Sequence, residues 1–157
     1  MAIDKVRDYF KQWNKDSDIL EFSTSSATVE LAAEAAGVIP ARIAKTLSFR
    51  DNNDGCILVV TAGDAKIDNS KFKQLFKMKA RMLSPDEVLF YTGHAIGGVC
   101  PFAIENPNVK IYCDISLKRF ETVFPACGSS NSAIELTCSE LFGYSKALEW
   151  IDVCKNW

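Results

Sequence analysis

The chain has 157 residues, 48% of them hydrophobic and 24% charged, a composition that predicts one globular domain spanning residues 1–157. Its formal net charge of −2 argues against a protein that holds DNA or other long nucleic acids on a broad basic face, so any nucleic-acid contact should be local. No apolar run reaches membrane-spanning length, and the start of the chain lacks the apolar core of a signal peptide. These features predict a cytoplasmic protein with no membrane partner and no DNA partner.

The cysteine and histidine content gives little support for a metal site. Six cysteines never approach C-x-x-C spacing, and His94 is the only histidine. We therefore expect no metal ion and no cofactor, and we expect the thiols to stay reduced.

The first predicted elements alternate between helix and strand. Residues 2–14 are predicted to form an amphipathic helix, because apolar side chains recur there at steps of three and four. A candidate strand follows at residues 19–22. The next helix should begin after Thr28, which can cap it, and end at Gly37 in a left-handed turn.

A helix-to-strand junction and a hairpin come next. Pro40 suits the first position of a short helix that gives way to an alternating strand, with Lys45 at the junction. Judged by local pattern alone, most lysines placed in this way are solvated. The β-branched run at 56–60 predicts a strand buried on both faces, which should form a hairpin with residues 47–50.

Two helices are predicted before the following strand. The first begins at Asp68 and has a positive face, interpreted either as solvated surface or as a small patch for the phosphates of an acceptor stem. The positive side chains are those of Lys71, Lys73, Lys77, Lys79 and Arg81. The second helix is capped by Ser84, with Glu87 three residues on, and ends at Gly93.

The last third of the chain predicts mainly strands. Residues 109–114 should form a strand and residues 116–120 a short helical connection. Residues 122–124 and 133–136 should pair around a turn at 128–131. A final helix is predicted from Thr137, with a glutamate three residues on that completes a capping box, and the residues around Trp150 and Val153 should close the sheet edge or the core.

An unusual mixture of glycine, proline and apolar residues occupies positions 93–104. Gly97 and Gly98 allow positive φ or close approach to a ligand, and Pro101 fixes its own φ. The segment is predicted to be a rigid loop whose backbone N–H groups, from Gly97 to Cys100, are able to bind a carbonyl or carboxylate. The alternative interpretation is a structural bend between two core strands.

Two side chains near this loop have alternative interpretations. His94 is either a general base or hydrogen-bonding group of a pocket, or an incidental loop histidine without a fixed partner. Cys100 raises the alternative of thiol chemistry, but the sequence identifies no residue besides His94 that would orient it.

Several segments, in order along nearly the whole chain, carry a family resemblance. They are Thr28 to Phe49, above all Lys45-Thr46-Leu47, the G-x-x-x-P motif Gly97-Gly98-Val99-Cys100-Pro101, and the glycine turns at Val59 to Asp64 and Ala126 to Ser130. Together they resemble the YbaK/ProX-type (YbaK/EbsC, prolyl-tRNA synthetase-associated) aminoacyl-tRNA deacylases.

The resemblance implies an α/β (α+β) fold, with a central mixed, mostly antiparallel sheet surrounded by helices. It implies a free-standing trans-editing deacylase that hydrolyses the ester of mischarged tRNA, with Lys45 as the catalytic residue. The substrate-binding residues that it implies are Thr46, His94, Gly97, Gly98, Val99, Cys100, Pro101, Gly128 and Ser129. The expected partners are the 3′ acceptor end of aminoacyl-tRNA and an aminoacyl-tRNA synthetase.

Specificity and the alternative function stay open at this point. Cys100 stands where many relatives have serine or threonine, and Ala103 where many have glycine, so the amino acid removed is in doubt. A pocket closed by glycine backbone and by Val99, Pro101 and Phe102 selects by exclusion, which favours alanine, serine, threonine or cysteine esters, on tRNA-Pro. The alternative is a non-catalytic binding module that senses aminoacyl-tRNA, an amino acid or a synthetase.

Overall fold

A computed structural model describes residues 2–157, and Met1 lies outside the described residues. The helices are α1 (Ala2–Phe10), α2 (Val29–Ala36), α3 (Asn69–Phe76), α4 (Pro85–Thr92) and α5 (Cys138–Ser145). The strands are β1 (Leu20–Glu21), β2 (Ile43–Asp51), β3 (Gly55–Ala62), β4 (Lys66–Ile67), β5 (Val109–Asp114), β6 (Thr122–Pro125), β7 (Ser132–Ala133), β8 (Leu136–Thr137), β9 (Glu149–Ile151) and β10 (Cys154–Lys155). Short 3₁₀ helices occupy Lys11–Trp13, Asp16–Asp18, Pro40–Arg42 and Ile115–Arg119.

A six-stranded mixed sheet with the order β8-β6-β2-β3-β5-β9 forms the centre. The predicted α/β class and mixed sheet are confirmed, but antiparallel pairing does not dominate. Within this six-stranded sheet, β2 with β3 and β6 with β8 are antiparallel, whereas β2 with β6, β3 with β5 and β5 with β9 are parallel. The reason is that helices separate β3 from β5 and β5 from β9, and a helical crossover returns the chain to the same end of the sheet.

The hairpin of β2 and β3 forms the middle of this sheet. The two strands pair from Ala44 opposite Ala62 to Asp51 opposite Gly55, and every residue of β3 is buried. The predicted hairpin and the predicted buried strand are therefore confirmed. Because β2 begins beside the end of β3, Lys45 lies near the turn that follows β3.

The helix boundaries follow the capping signals in the sequence. Thr28 caps α2 through its side chain and Gly37 ends it with a φ of 71°. Capping boxes at Ser84 and Thr137 open α4 and α5. The first helix is shorter than the predicted range 2–14, because the α-helix stops at Phe10 and the chain continues only as a 3₁₀ turn.

The predicted pairing of 122–124 with 133–136 holds only in part. Val123 is opposite Leu136, as expected, but Ala133 pairs with Leu20 of β1. The turn at 128–131 is therefore followed by a short strand that leaves β6 and joins a separate two-stranded sheet, which brings the segment before α2 close to β7.

Helix α1 packs against the segment at residues 93–104, which we call the glycine-rich loop. The ring of Phe10 lies 4.8 Å from that of Phe102, and both side chains are fully buried. At the start of the helix, a Cβ on Gly128 would lie 3.0 Å from the backbone of Ala2. Helix α1 thus supports the loop at 93–104 and the turn at 128–131 together.

A buried carboxylate fixes the strand β10 onto the domain. Asp114 is fully buried, and its two oxygens accept hydrogen bonds from the amides of Ser116 and Val153, each at 2.9 Å. The carbonyl of Val153 accepts in turn from the amide of Asp68 at 2.8 Å. The chain before β10 is therefore tied to β5 and to the start of α3.

We expect Asp114→Ala to lower the free energy of unfolding by about 2–5 kcal/mol, because it leaves two buried amides without acceptors. Asp114→Asn keeps one acceptor oxygen, so its free energy of unfolding should fall by less than that of Asp114→Ala. Urea denaturation measures both values, with Glu121→Ala at an exposed position as the control, expected within about 0.5 kcal/mol of the wild type. An Asp114→Ala loss as small as that of the control would contradict this role.

Candidate active site

A cavity of about 230 Å³ opens where the first residues of β2 meet α2, the glycine-rich loop and the end of β6. Its lining residues are Ser26, Ala27, Thr28, Val29, Ala32, Ile43, Ala44, Lys45, Thr46, Ile96, Gly97, Val99, Phe124, Ala126, Ser132 and Ala133. Most of these side chains are small and apolar. Lys45 is the one charged side chain among them.

The ammonium group of Lys45 is held by backbone oxygens. Its Nζ donates to the carbonyl of Ala65 at 2.5 Å and to that of Gly63 at 3.3 Å. An ammonium group has three N–H donors, so one remains for a ligand. Partial burial lowers the pKa of Lys45 below its ordinary value, with smaller opposing effects from neighbouring acidic groups that include Asp64.

The turn that supplies these carbonyls is sterically fixed. A Cβ on Gly63 would lie 2.1 Å from the carbonyl oxygen of Pro40 and 2.7 Å from Val29 Cγ1, so the turn packs directly on the start of α2. The carboxylate of Asp64 accepts two hydrogen bonds from the guanidinium of Arg119, at 2.6 and 3.0 Å. This pair lowers the pKa of Asp64 and secures the turn from its outer side.

Two hydroxyl groups in the cavity wall lack partners. Ser26 Oγ and Thr46 Oγ1 are buried, and neither makes a hydrogen bond within residues 2–157. Buried polar groups are nearly always hydrogen-bonded, so unpaired ones beside a cavity indicate groups that a ligand or water would satisfy. The wall of the cavity therefore contains one cationic donor and two buried hydroxyls without partners.

The glycine-rich loop forms one side of the cavity. Gly97 has a φ of 96°, which favours glycine, and a Cβ there would contact Ala27 at 3.4 Å. The amide of Gly98 donates to the carbonyl of Ala95 at 3.0 Å, so it closes a turn and is not available to a ligand. A Cβ on Gly98 would lie 2.8 Å from the backbone of Ser129, so the loop packs tightly on the neighbouring turn.

The structure brings together some of the residues implied by the resemblance and separates others. Lys45, Thr46, Gly97 and Val99 line the cavity. Those that do not line it are His94, Gly98, Cys100, Pro101, Gly128 and Ser129. The second set belongs to the glycine-rich loop or to the 128–131 turn, and these two segments pack on each other where Gly98 meets Ser129.

His94 and Cys100 form a buried pair in that supporting layer. His94 Nε2 lies 2.8 Å from the carbonyl oxygen of Phe102 and 3.4 Å from Cys100 Sγ. Burial raises the pKa of the Cys100 thiol to about 12 and lowers that of His94, the opposite of what a thiolate–imidazolium pair requires. The geometry therefore argues against thiol chemistry at Cys100.

Sequence reasoning missed several lining residues. Ser26 reaches the cavity because its amide donates to the carbonyl of Ser130 at 2.6 Å, a contact between distant parts of the chain. Phe124, Ser132 and Ala133 arrive through β6 and β7. The one local signal near Ser26 is the pair of serines at 25–26 before Thr28, and this pair indicates only a loop.

Comparison with known proteins decides the family. Residues 24–143 match the model of the aminoacyl-tRNA editing domain. The chain belongs to the aminoacyl-tRNA editing domain family. The matched range includes every lining residue of the cavity.

This editing-domain chain has relatives of two kinds. It is 62% identical to the uncharacterized protein YwhH of Bacillus subtilis strain 168 over 157 residues, which covers all of this chain and 99% of that protein. It is 30% identical over 94 residues to the proline–tRNA ligase of Thermotoga sp. strain RQ2, a match that covers 59% of this chain and 16% of the ligase.

A solved structure has the same fold over almost the whole editing domain. It is the crystal structure of a protein proposed to be a trans-editing enzyme for prolyl tRNA synthetase. The TM-score is 0.87 at 27% sequence identity, and the match covers 98% of this chain and 97% of the other. Within residues 2–157, no helix of the editing domain has the length and apolar character needed to cross a membrane.

We expect Gly98→Ala to lower the free energy of unfolding by about 1–3 kcal/mol, because the new methyl group meets rigid backbone of Ser129. Gly143→Ala in α5 is the matched control, since a Cβ there has no neighbour within 4 Å. The control should gain about 0.5–1 kcal/mol from the higher helix propensity of alanine. Equal unfolding midpoints in urea for the two variants would refute the packing argument.

Thiol labelling checks the environment of Cys100. At neutral pH, iodoacetamide should modify the partly exposed Cys138 first and leave Cys100 unmodified until the protein unfolds. Mass spectrometry of peptides from folded and urea-unfolded protein measures the order. Early modification of Cys100 in the folded protein would show an accessible, reactive thiol instead.

Proposed function

We propose that the protein is a free-standing deacylase that hydrolyses the ester bond of mischarged tRNA carrying a small amino acid. The observation that carries this proposal is a small cavity whose one charged lining residue is Lys45, with its ammonium group fixed by two carbonyls, and whose lining also includes Ser26 and Thr46 with unpaired hydroxyls. The family membership supports the reaction class.

The chemistry follows from the charge that ester hydrolysis develops. Water adds to the ester carbonyl, the carbonyl oxygen becomes negative, and the bond to the ribose oxygen then breaks, which releases the amino acid and the tRNA hydroxyl. Lys45 stays protonated and places its remaining N–H toward the developing negative charge or the terminal phosphate. By the family resemblance, the terminal ribose's own hydroxyl helps to activate the water.

Cavity size supports a small aminoacyl group. At about 230 Å³, the cavity is below the range of about 300–1,000 Å³ typical of drug-sized ligands. The methyl groups of Ala32, Ala44 and Ala133 and the ring of Phe124 limit it on several sides. Such walls select by excluding larger side chains, so alanine, serine, threonine and cysteine fit this proposal better than leucine or phenylalanine.

The proposed partners follow from the same comparisons. The matches to a proline–tRNA ligase and to a protein proposed to edit for prolyl tRNA synthetase favour tRNA-Pro as the carrier. The 3′ acceptor end of the aminoacyl-tRNA would enter the cavity, and an aminoacyl-tRNA synthetase is the proposed second partner. A role in translation places the protein in the cytoplasm under this proposal.

A panel of mischarged tRNAs tests the function. We expect the wild type to hydrolyse alanyl, seryl, threonyl or cysteinyl esters and to leave leucyl and phenylalanyl esters intact. Binding of these tRNAs without any hydrolysis would instead support the alternative of a non-catalytic binding module. Efficient cleavage of phenylalanyl esters would contradict the argument from cavity size.

Lys45→Ala should lower kcat/KM by about 10²–10³-fold, the usual loss when one donor to the developing oxyanion is removed. The matched control is Lys110→Ala, which removes an exposed lysine on β5 that pairs with Asp51. Because burial lowers the pKa of Lys45, wild-type kcat/KM should begin to fall at a pH below lysine's ordinary 10.5, after subtraction of uncatalysed hydrolysis. Near-normal turnover by Lys45→Ala would show that Lys45 is not the catalytic residue.

A further inference from the structure

Two lysines face each other on the small ribbon formed by β4 and β10. Lys66 is directly opposite Lys155 in this antiparallel pair, so both side chains leave the same face of the ribbon. Both residues are exposed, and neither has an acidic partner within residues 2–157. Like charges directly opposite each other destabilise a sheet, so this pair is better suited to holding an anion than to holding the ribbon together.

The lysine pair is next to the cavity. Lys66 follows Ala65, whose carbonyl accepts a hydrogen bond from Lys45 at 2.5 Å. The ribbon therefore continues directly from the turn that fixes the proposed catalytic group.

An exposed aromatic ring lies beside the same turn. The side chain of Trp157 is 43% exposed, and its ring centroid is 5.1 Å from the guanidinium carbon of Arg119. Arg119 in turn holds Asp64, the central residue of the turn, through two hydrogen bonds. Residues 154–157 thus bring both a lysine and an aromatic ring to the edge of the site.

Nearby acidic groups are mostly neutralised. Asp64 is paired with Arg119, and Asp152 accepts a hydrogen bond from Lys71 at 2.9 Å. Two carboxylates remain: Glu30 is a weak influence on Lys45, and Asp68 accepts hydrogen bonds from the amides of Ser70 and Lys71. Lys45, Lys66 and Lys155 therefore leave this edge of the molecule with a local excess of positive charge, although the whole chain has a net charge of −2.

We propose that Lys66, Lys155 and Trp157 form a docking surface for the single-stranded 3′ end of tRNA, an inference that rests on the proposed deacylase function. The lysines contact the phosphates of the nucleotides that precede the terminal aminoacylated adenosine, and the indole stacks on one of their bases. Stacked aromatics with neighbouring cations are the general means by which proteins bind unpaired nucleotides. The nucleotides before the terminal adenosine carry the phosphates nearest to the ester, and Lys66 is the residue that follows Ala65, an acceptor of the Lys45 ammonium group.

The structure favours this surface over the positive face of α3. Lys71 is already occupied by Asp152 and by the carbonyl of Cys154 at 3.1 Å. Lys73 and Lys79 are exposed and line a separate surface depression with Asn69, Ser70 and Ala80. They provide a matched pair of lysines for comparison.

The experiment compares two substrates, alanyl-tRNA and the 3′-alanyl ester of adenosine, which has no phosphate. For Lys66→Ala/Lys155→Ala, we expect KM to rise for alanyl-tRNA by a much larger factor than for alanyl-adenosine. Because each neutralised phosphate of a single strand contributes about 0.7 to the slope of log affinity against log salt, the slope for tRNA should flatten by about 1.4. The control Lys73→Ala/Lys79→Ala should keep the wild-type slope.

Trp157 is tested in the same assay. Trp157→Ala should raise KM for alanyl-tRNA about 5- to 150-fold, the effect expected from losing one stacked base, with little change in the salt slope. Phe90→Ala, which removes an aromatic side chain that is 73% exposed on α4, is the control. Trp157→Phe should restore most of the affinity.

Lys155→Glu separates docking from stability. It places opposite charges across the ribbon, so the melting temperature should hold or rise while KM for alanyl-tRNA increases. A lower melting temperature for Lys155→Glu, with KM for alanyl-tRNA unchanged, would overturn the proposal. Unchanged KM and salt slope in the lysine variants, with an active wild type, would also overturn it, whereas a wild type inactive on both substrates would refute the proposed function itself.

Discussion

The site depends on an ammonium group held by two backbone carbonyls at the end of a buried strand. The carbonyls of Gly63 and Ala65 can hold Lys45 only because the turn between them presses against Pro40 and Val29, in space that no side chain at position 63 could share. The position of the charge is thus set by backbone geometry on both sides, with β2 providing the lysine and the end of β3 providing its acceptors. A cation fixed in this way loses little freedom when a substrate binds, which is what electrostatic stabilisation of a transition state requires.

The glycine-rich loop and its surroundings divide into a wall and a support. Gly97 and Val99 form the wall, while His94, Cys100 and Phe102 are buried together, and Phe102 packs on Phe10 of helix α1. The His94 ring, with Nδ1 unpaired within residues 2–157, is oriented by the carbonyl of Phe102. A residue in a functional loop can therefore be important for the shape of a cavity without touching what the cavity binds.

Local signals allowed the sequence to predict most of the fold. Caps at Thr28, Ser84 and Thr137, the buried run of β3 and the glycine at the end of α4 act within a few residues, and all are where they were predicted. No local pattern encodes the parallel pairing of β5 with β3 and β9, because it depends on crossovers. The pairing of Ala133 with Leu20 likewise depends on a long-range contact. The same holds in the cavity, where Lys45 and Gly97 were found through motifs, but Ser26 and Phe124 were not, because the fold alone brings them there.

The ribbon of β4 and β10 has a consequence for the order in which the protein assembles. Its strands are far apart in the chain, pairing Ile67 with Cys154, and the link between them passes through the buried carboxylate of Asp114. Loop-closure entropy makes such distant pairings late events, formed after the local hairpin of β2 and β3 has already fixed Lys45. As the chain folds, Lys45 would therefore be held in place before Lys155 and Trp157 are brought beside the turn at Gly63 to Ala65. A partly folded protein at that stage would already hold its cationic group in place but would lack the surface proposed to guide RNA into the cavity.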